Sequence, residues 1–293
     1  MHKLFFLIFY LFFTVSAFSY TIMAPDNPSS LPLLIAADHI PDLEVKLFSN
    51  HTQAHSLFLS GKIPLLLTGY AVGESFARRD VPIKMAASWI NGLNWLVSAD
   101  STISGFSQLK GEKIYFPFQG SPIEEMSLWL AEKEGLNVET DLETGYLPFA
   151  SMLEMMRQGN VKFAVMPVSS ALQIVDNKNY FFSFDLNDKW QQITDSDFYP
   201  QLGLFYNPQQ KKDIPLDTLL TELEKAIHQI NEDPLMVQEK YGDKLSFAPE
   251  VVRQSLNMMR FQFLRGDELQ KKMELYFEKN GINPPPRSFY STD

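Results

Sequence analysis

A turn that could hold a polar group follows the apolar stretch 114–116. Residues 117–121 break that strand-like pattern, and an amphipathic helical pattern begins at Pro122. The first backbone N–H groups of a helix have no partner within it, so they can donate hydrogen bonds to a ligand. Ser121, Pro122 and Glu124 also fit a capping box, which would satisfy such donors internally. Two interpretations stay open: a ligand-binding turn and a plain helix start.

The same strand–turn–helix pattern occurs twice, at 20–36 and at 113–131. Each copy is followed by a helix, a glycine (Gly61 or Gly159) and a short apolar strand. In doubly wound sheets, ligands bind beyond the carboxyl ends of the strands. The pattern therefore predicts a ligand-binding cleft with two walls and one residue near the crossing between them: Asn27, Ser29, Ser30, Thr68, Gly69 and Tyr70 on one wall, Gln119, Gly120, Ser121, Pro167, Val168 and Ser169 on the other, and Asn94 at the crossing.

The charge at the second turn indicates what the cleft would hold. Glu124 and Glu125 lie in the first turn of the predicted helix, where they offset the helix dipole and disfavour an anion. Aromatic side chains near the predicted cleft could stack on a flat ring: Tyr70, Trp89, Trp95, Phe116 and Phe118. We therefore expect a neutral or heteroaromatic ligand. The alternatives are that these aromatics are core residues and that both glutamates point to solvent while an anion binds.

No catalytic pattern is present in the sequence. It has no nucleophile elbow, HExxH motif, phosphate-binding P-loop or Rossmann glycine fingerprint. His51 and His55 lie one helical turn apart and could share a metal, but no third ligand lies nearby, which favours surface histidines. We expect no enzyme activity, no metal and no cofactor.

These turns require strands that alternate with helices, which predicts the α/β class. The duplication predicts two doubly wound α/β lobes joined by a two-segment hinge. We expect one lobe from 20–97 together with 203–293, and a second lobe from 98–202. The C-terminal region should form helices that begin near Asp217, Pro249 and Asp267, followed by a loose tail.

The first residues resemble a secretory signal. Lys3 precedes an unbroken apolar run at 4–13, and small residues follow at 15–17, which predicts a signal peptide at 1–19 and a periplasmic protein. The sequence contains no cysteine, so stability must come from a large core and not from disulfides. The formal charge of −10 argues against nucleic acid as a partner.

Several stretches resemble the periplasmic solute-binding proteins of ABC importers, in the branch of nitrate, taurine and alkanesulfonate receptors and pyrimidine-precursor proteins. They are GFSQLKGEKIYFP (105–117), LSGKIPLLLTGY (59–70), RQGNVKFAVMPVSSA (157–171) and NEDPLMVQEKYGDKLSFAPEVVRQSL (231–256). Pro64 and Lys162 stand where the family often has Asp, and Met166-Pro167-Val168 replaces its Glu-Pro. These departures leave the fold intact but remove any inference about the ligand from relatives.

The resemblance implies a type II periplasmic-binding fold and a monomeric receptor. Such a receptor would capture a small molecule between its lobes and deliver it to a membrane permease with its ATPase. The family also implies two alternatives. One is an enzyme on the same scaffold, such as a pyrimidine-precursor synthase or a menaquinone-pathway dehydratase. The other is a periplasmic ligand sensor.

Overall fold

The computed structural model describes residues 20–213 and 215–291. The predicted signal peptide at 1–19 lies outside the described residues. Strands and helices alternate along most of the chain, as predicted. The strands are β1 (Tyr20–Pro25), β2 (Leu43–Phe48), β3 (Leu65–Gly69), β4 (Lys84–Asn91), β5 (Asn94–Ser98), β6 (Lys113–Phe116), β7 (Glu143–Tyr146), β8 (Phe163–Pro167), β9 (Phe181–Asp185), β10 (Leu202–Tyr206) and β11 (Arg260–Arg265).

The helices cover both sheets and extend to the C-terminal region. They are α1 (Leu31–Ala37), α2 (His51–Leu59), α3 (Tyr70–Ala77), α4 (Pro122–Lys133), α5 (Val138–Asp141), α6 (Phe149–Arg157), α7 (Val168–Ala171), α8 (Leu186–Thr194), α9 (Leu216–Glu232), α10 (Pro234–Tyr241), α11 (Pro249–Met258) and α12 (Gly266–Asn280). The starts of α9, α11 and α12 lie within one residue of the predicted starts at Asp217, Pro249 and Asp267.

The strands form two separate sheets. The first sheet has the order β11-β4-β10-β3-β1-β2, and the second has the order β7-β6-β8-β5-β9. β1 is parallel to β2 and β3, and β6 is parallel to β7 and β8, as helix-connected strands should be. The sheets are nevertheless mixed, because β10 runs antiparallel to β3 and β4, and β5 runs antiparallel to β8 and β9.

Two short segments carry the chain between the sheets. Gly92 and Leu93 connect β4 of the first sheet to β5 of the second, and the segment that ends at Gln201 leads back into β10. We expected the first lobe to extend to residue 97, but β5 pairs with β8 and β9, so 94–98 belong with the second sheet. We propose two lobes, one on each sheet, that meet at these crossings.

Apolar clusters cover the faces of both sheets. In the first lobe, one cluster packs under α1 and α9, and another packs under α12 with Phe205 and Phe277. In the second lobe, one cluster includes Phe106 and Trp190, and another includes Met152 and Tyr180. These continuous cores supply the stability that cysteine-free chains cannot draw from disulfides.

The C-terminal tail is anchored and not loose. Phe289 and Tyr290 are buried, and Tyr290 forms an isolated bridge with Met85 of β4. Ser291 N–H donates to the Met85 carbonyl at 2.9 Å. The expectation of a loose tail was wrong because the two aromatic side chains fill a gap beside Phe205. Within 20–213 and 215–291, no helix is both long enough and apolar enough to cross a membrane.

Candidate functional site

The segment after β3 in one lobe lies against the segment after β6 in the other, and α7, which follows β8, packs against α11 of the first lobe. The lobes touch here: a Cβ atom at Gly69 would lie 3.3 Å from Pro122 Cγ. At another point of contact, the Arg260 guanidinium lies 3.0 Å from the Asp185 carboxylate. The structure thus places Gly69 of one predicted wall against the start of α4 in the other lobe.

The turn after β1 is held by its own side chains. The Asn27 side chain accepts from Ser29 N–H at 2.9 Å and from Ser29 Oγ at 2.6 Å, and Ser30 Oγ donates to the Pro25 carbonyl. Ser29 and Ser30 are fully buried. Trp89 Nε1–H donates to the Ser29 carbonyl at 2.9 Å, so this ring supports the turn from inside the lobe. In this conformation these groups stabilise the wall and are not open to a ligand.

Side chains at the end of β3 are also held by contacts within their own lobe. Thr68 is buried, and its hydroxyl lies 3.1 Å from His55 Nε2. Burial and the neighbouring His51 lower the pKa of His55 to about 4, so this imidazole is neutral at pH 7. Tyr70 is also buried, and its ring packs edge-on against Tyr276 and Phe277. Tyr70 therefore serves the core, which corrects the expectation that it stacks on a ligand.

The turn before α4 forms half of the predicted capping box, because the reciprocal hydrogen bond of Glu124 goes to Gly120 and not to Ser121. Ser121 Oγ accepts from Glu124 N–H at 3.2 Å, and the Glu124 carboxylate accepts from Gly120 N–H at 2.6 Å. Glu124 is buried and accepts a further hydrogen bond from the Tyr146 hydroxyl at 2.6 Å. Gln119 and Gly120 are exposed. The Gly120 amide that we expected to contact a ligand is therefore occupied by a carboxylate of the same helix.

The backbone conformation at position 120 favours glycine. Its φ of +70° lies in the left-handed region, where side chains are strained. A Cβ atom added there would meet no atom within 4 Å, so no close backbone approach excludes a side chain in this conformation.

At the end of β8, the first amide of α7 is paired with a crossing segment. Val168 N–H donates to the Leu93 carbonyl at 2.8 Å, and Pro167 pairs with Asn94 across β8 and β5. Val168 and Ser169 are buried. In the other lobe, Tyr70 N–H donates to the Gln201 carbonyl at 3.2 Å. Both crossings are thus tied to the strand ends that were predicted to line the cleft.

Burial separates the aromatic candidates. Trp89 and Phe116 have no exposed surface, so they are core residues and cannot stack on a ligand in the cleft. Trp95 is half-buried and packs edge-on against Phe182 at 5.1 Å. Phe118 is 47% exposed and lies in the turn before α4, where it can still meet a ligand.

Four polar residues that the sequence did not single out lie at the crossings. Asp185 ends β9 and is 3% exposed, and Arg260 begins β11 in the other lobe. Tyr199 and Gln201 precede β10, and both are buried. Local pattern could not find the Asp185–Arg260 pair, because its members are far apart in the chain. Gln201 did carry a signal, since it is a polar residue placed directly before the apolar strand β10.

Arg260 joins the lobes electrostatically. Its guanidinium contacts Asp185 at 3.0 Å and Asp188 at 2.9 Å. Burial raises the pKa of the Asp185 carboxyl to about 6, an effect that the Asn187 backbone N–H and Arg260 partly oppose. The cation at this edge is therefore already neutralised by two aspartates.

Other site types find no support in the part of the chain that the structure describes. No group of three or more His, Asp or Glu side chains there could hold a metal ion. Two surface cavities, of about 340 and 760 Å³, lie at the ends of the sheets opposite the crossings. Gly61 and Pro82 line the smaller cavity, and Lys162 and Tyr180 line the larger one.

Comparison with known proteins finds the same fold in solved structures. No protein-family model and no curated protein sequence matches the chain. An ABC transporter from Parabacteroides distasonis has a TM-score of 0.74 and 15% identity, covering 93% of this chain and 98% of its own. The periplasmic aliphatic sulphonate binding protein SsuA from Escherichia coli has a TM-score of 0.74 and 15% identity, covering 93% and 92%. The periplasmic nitrate-binding protein NrtA from Synechocystis PCC 6803 has a TM-score of 0.65 and 13% identity, covering 86% and 74%.

These similarities confirm the predicted fold class and agree with the resemblance seen in the sequence. At such low identity they establish architecture and leave the ligand open. The chain has the two-lobed α/β fold of the periplasmic binding proteins, and its structural neighbours include the sulfonate- and nitrate-binding branch of that fold.

Proposed function

We propose that this protein is the substrate-binding component of an ABC importer. It captures a small organic molecule between its lobes and delivers it to a permease and ATPase in the inner membrane. The observation that carries this proposal is the arrangement of two sheets whose strand ends face each other across two short crossings. Such crossings allow rigid lobes to rotate, and a ligand that contacts both lobes favours the closed form.

The proposal includes export to the periplasm through the signal peptide at 1–19, and a monomeric state. Binding without chemical turnover is part of it. The structural neighbours support this function because SsuA and NrtA are named as periplasmic binding proteins.

The electrostatics of the facing edges support a neutral or heteroaromatic ligand. An unpaired cation or a free helix start at the site favours an anionic ligand. Here Arg260 is paired with Asp185 and Asp188, and Glu124 occupies the turn before α4. Sulfonate and nitrate, which SsuA and NrtA are named for, would meet these carboxylates. Phe118 remains the exposed ring that could stack on a flat ligand.

Native mass spectrometry of freshly purified protein tests the proposal, because receptors of this kind can retain their ligand. The expected result is a bound small molecule that leaves on unfolding and rebinds afterwards. Calorimetry with taurine, an alkanesulfonate and nitrate tests the charge: binding below micromolar concentration would contradict the neutral ligand. Conversion of the recovered molecule into a new compound would contradict a pure binding function.

A further inference from the structure

Buried polar atoms without partners collect at the place where both crossings meet. Asn94 begins β5, and Gln201 immediately precedes β10, so they lie between the ends of β8 and β3. Each is 6% exposed, and each has one side-chain atom with no hydrogen-bond partner: Asn94 Oδ1 and Gln201 Nε2. We call these two residues the polar floor.

The direction of the Gln201 amide is fixed by the backbone. Its Oε1 accepts from Leu93 N–H at 3.0 Å, and only the oxygen of an amide can accept from an N–H. This contact fixes which end of the amide is the oxygen. The NH₂ group of Gln201 is therefore the end without a partner. This end offers hydrogen-bond donors.

The direction of the Asn94 amide follows from that of Gln201. Asn94 Nδ2–H donates to the same Gln201 oxygen at 3.4 Å, so Asn94 Oδ1 is the free end and offers an acceptor. The Tyr199 hydroxyl lies beside this amide, is buried, and makes no hydrogen bond of normal geometry. The polar floor thus combines free donors on one residue with a free acceptor on its neighbour.

Native proteins seldom leave buried polar groups unpaired, since each one loses its hydrogen bonds to water without replacement. Both residues lie on segments that pass from one lobe to the other. When the lobes separate, water can reach the crossings. In the closed form, a molecule held between the lobes can replace that water.

We propose that the polar floor determines specificity and binds a neutral ligand group in which an acceptor lies beside a donor, as in a carboxamide, lactam or ureide. This inference rests on the proposed receptor function. The ligand carbonyl accepts from Gln201 Nε2–H, and the ligand N–H donates to Asn94 Oδ1. The floor carries no formal charge, so a sulfonate or nitrate would leave the Asn94 acceptor unpaired.

Two variants separate this role from a structural one. Gln201→Glu keeps the oxygen that accepts from Leu93 N–H and replaces the donor end with a second oxygen. Asn94→Leu removes the free acceptor at similar volume, so the ligand-free protein should keep or raise its melting temperature. Gln53→Glu, the same change as at Gln201 but on an exposed position of α2, is the matched control.

The test is native mass spectrometry of the three variants and the wild-type protein, followed by thermal-shift measurements with nicotinamide, uracil and allantoin. We expect the wild-type protein to retain a compound with an amide or ureide group, or to be stabilised by one of these probes. We expect Gln201→Glu and Asn94→Leu to bind it at least tenfold more weakly, and Gln53→Glu to bind it normally.

Four results would overturn the inference. Recovery of an anion, or full binding by Gln201→Glu, would contradict an amide or ureide ligand and would leave the proposed receptor function standing. A large loss of melting temperature in Asn94→Leu with unchanged binding would show that the floor serves the fold. If no compound is bound and no probe shifts the melting temperature, both the proposed ligand class and the proposed receptor function are contradicted.

Discussion

One carboxyl group, that of Asp185, should contribute a loss of folding stability as the pH rises from 4 to 6. Asp185 is 3% exposed and lies where β9 meets the other lobe. Burial raises its pKa from an ordinary value of 3.8 to about 6, and repulsion from Asp188 adds to the effect. The Asn187 backbone N–H at 2.7 Å and Arg260 act in the opposite direction without cancelling it.

The sign follows from proton binding in the two states. Below pH 4 the carboxyl is protonated in both. Between pH 4 and 6 the unfolded chain releases its proton and the folded chain keeps it, so the free energy of unfolding decreases. Above pH 6 both forms are ionised, and no further change arises from this group. The difference between pKa values of 3.8 and about 6 corresponds to about 3 kcal/mol.

Denaturant unfolding of wild type and Asp185→Asn from pH 4 to 7.5 measures this difference. The amide of the variant can still accept from Asn187 N–H but cannot ionise. We expect the free energy of unfolding of the variant, relative to that of the wild type, to increase by about 3 kcal/mol between pH 4 and 7. Asp243→Asn, on the exposed surface, controls for general charge effects. A difference between wild type and Asp185→Asn that does not change with pH would refute the reasoning.

Three further predictions concern the crossing, the α4 turn and the N-terminus. Arg260→Gln removes the inter-lobe ion pair and should lower the free energy of unfolding by about 1–2 kcal/mol at pH 7. This loss is smaller than that expected for a buried charge, because Arg260 is half exposed. The substitution should also move the stability loss that arises from Asp185 to higher pH, because Arg260 lowers the pKa of that carboxyl. An unchanged pH profile would contradict this role of the ion pair. Gly120→Ala should lower the free energy of unfolding by about 1 kcal/mol, because alanine is strained in the left-handed conformation, and Gly120→Asn should lower it less. Equal stability of the wild type and both variants in denaturant would count against this. N-terminal sequencing of periplasmic protein should begin near Phe18 or Tyr20, and an intact Met1 would disprove cleavage.

Local sequence patterns predicted much of the fold because the chain repeats them. The hydrogen bond from Glu124 N–H to Ser121 Oγ formed as expected, since both residues lie within one helical turn. The Glu124 carboxylate bonds to Gly120, one residue before the predicted partner. The strand–turn–helix order correctly predicted a turn and a helix after β1 and after β6. A mixed sheet could not be predicted in the same way, because the direction of β5 and β10 depends on where the crossings enter each lobe.

The side-chain roles at the site were harder to predict. An aromatic residue after a strand looks the same in sequence whether it enters the core or the cleft, and Tyr70 enters the core. The Arg260–Asp185 pair and the Asn94–Gln201 floor each join distant parts of the chain, so only the topology brings them together. The tail was misjudged because its prolines suggested a loose chain, whereas Phe289 and Tyr290 anchor it.

The central claim is that the two lobes close around a small molecule. The chain has no cysteine, so Gln53→Cys on α2 and Glu132→Cys on α4 place one spin label on each lobe at exposed positions. Double electron–electron resonance then measures the distance between the labels in three samples. They are the protein as purified, the protein stripped by unfolding and refolding, and the stripped protein with its released small-molecule fraction returned. We predict a short, narrow distance distribution for the protein as purified and a longer distance for the stripped protein. Return of the small-molecule fraction should restore the short distance. The same distance distribution in all three samples would contradict the account.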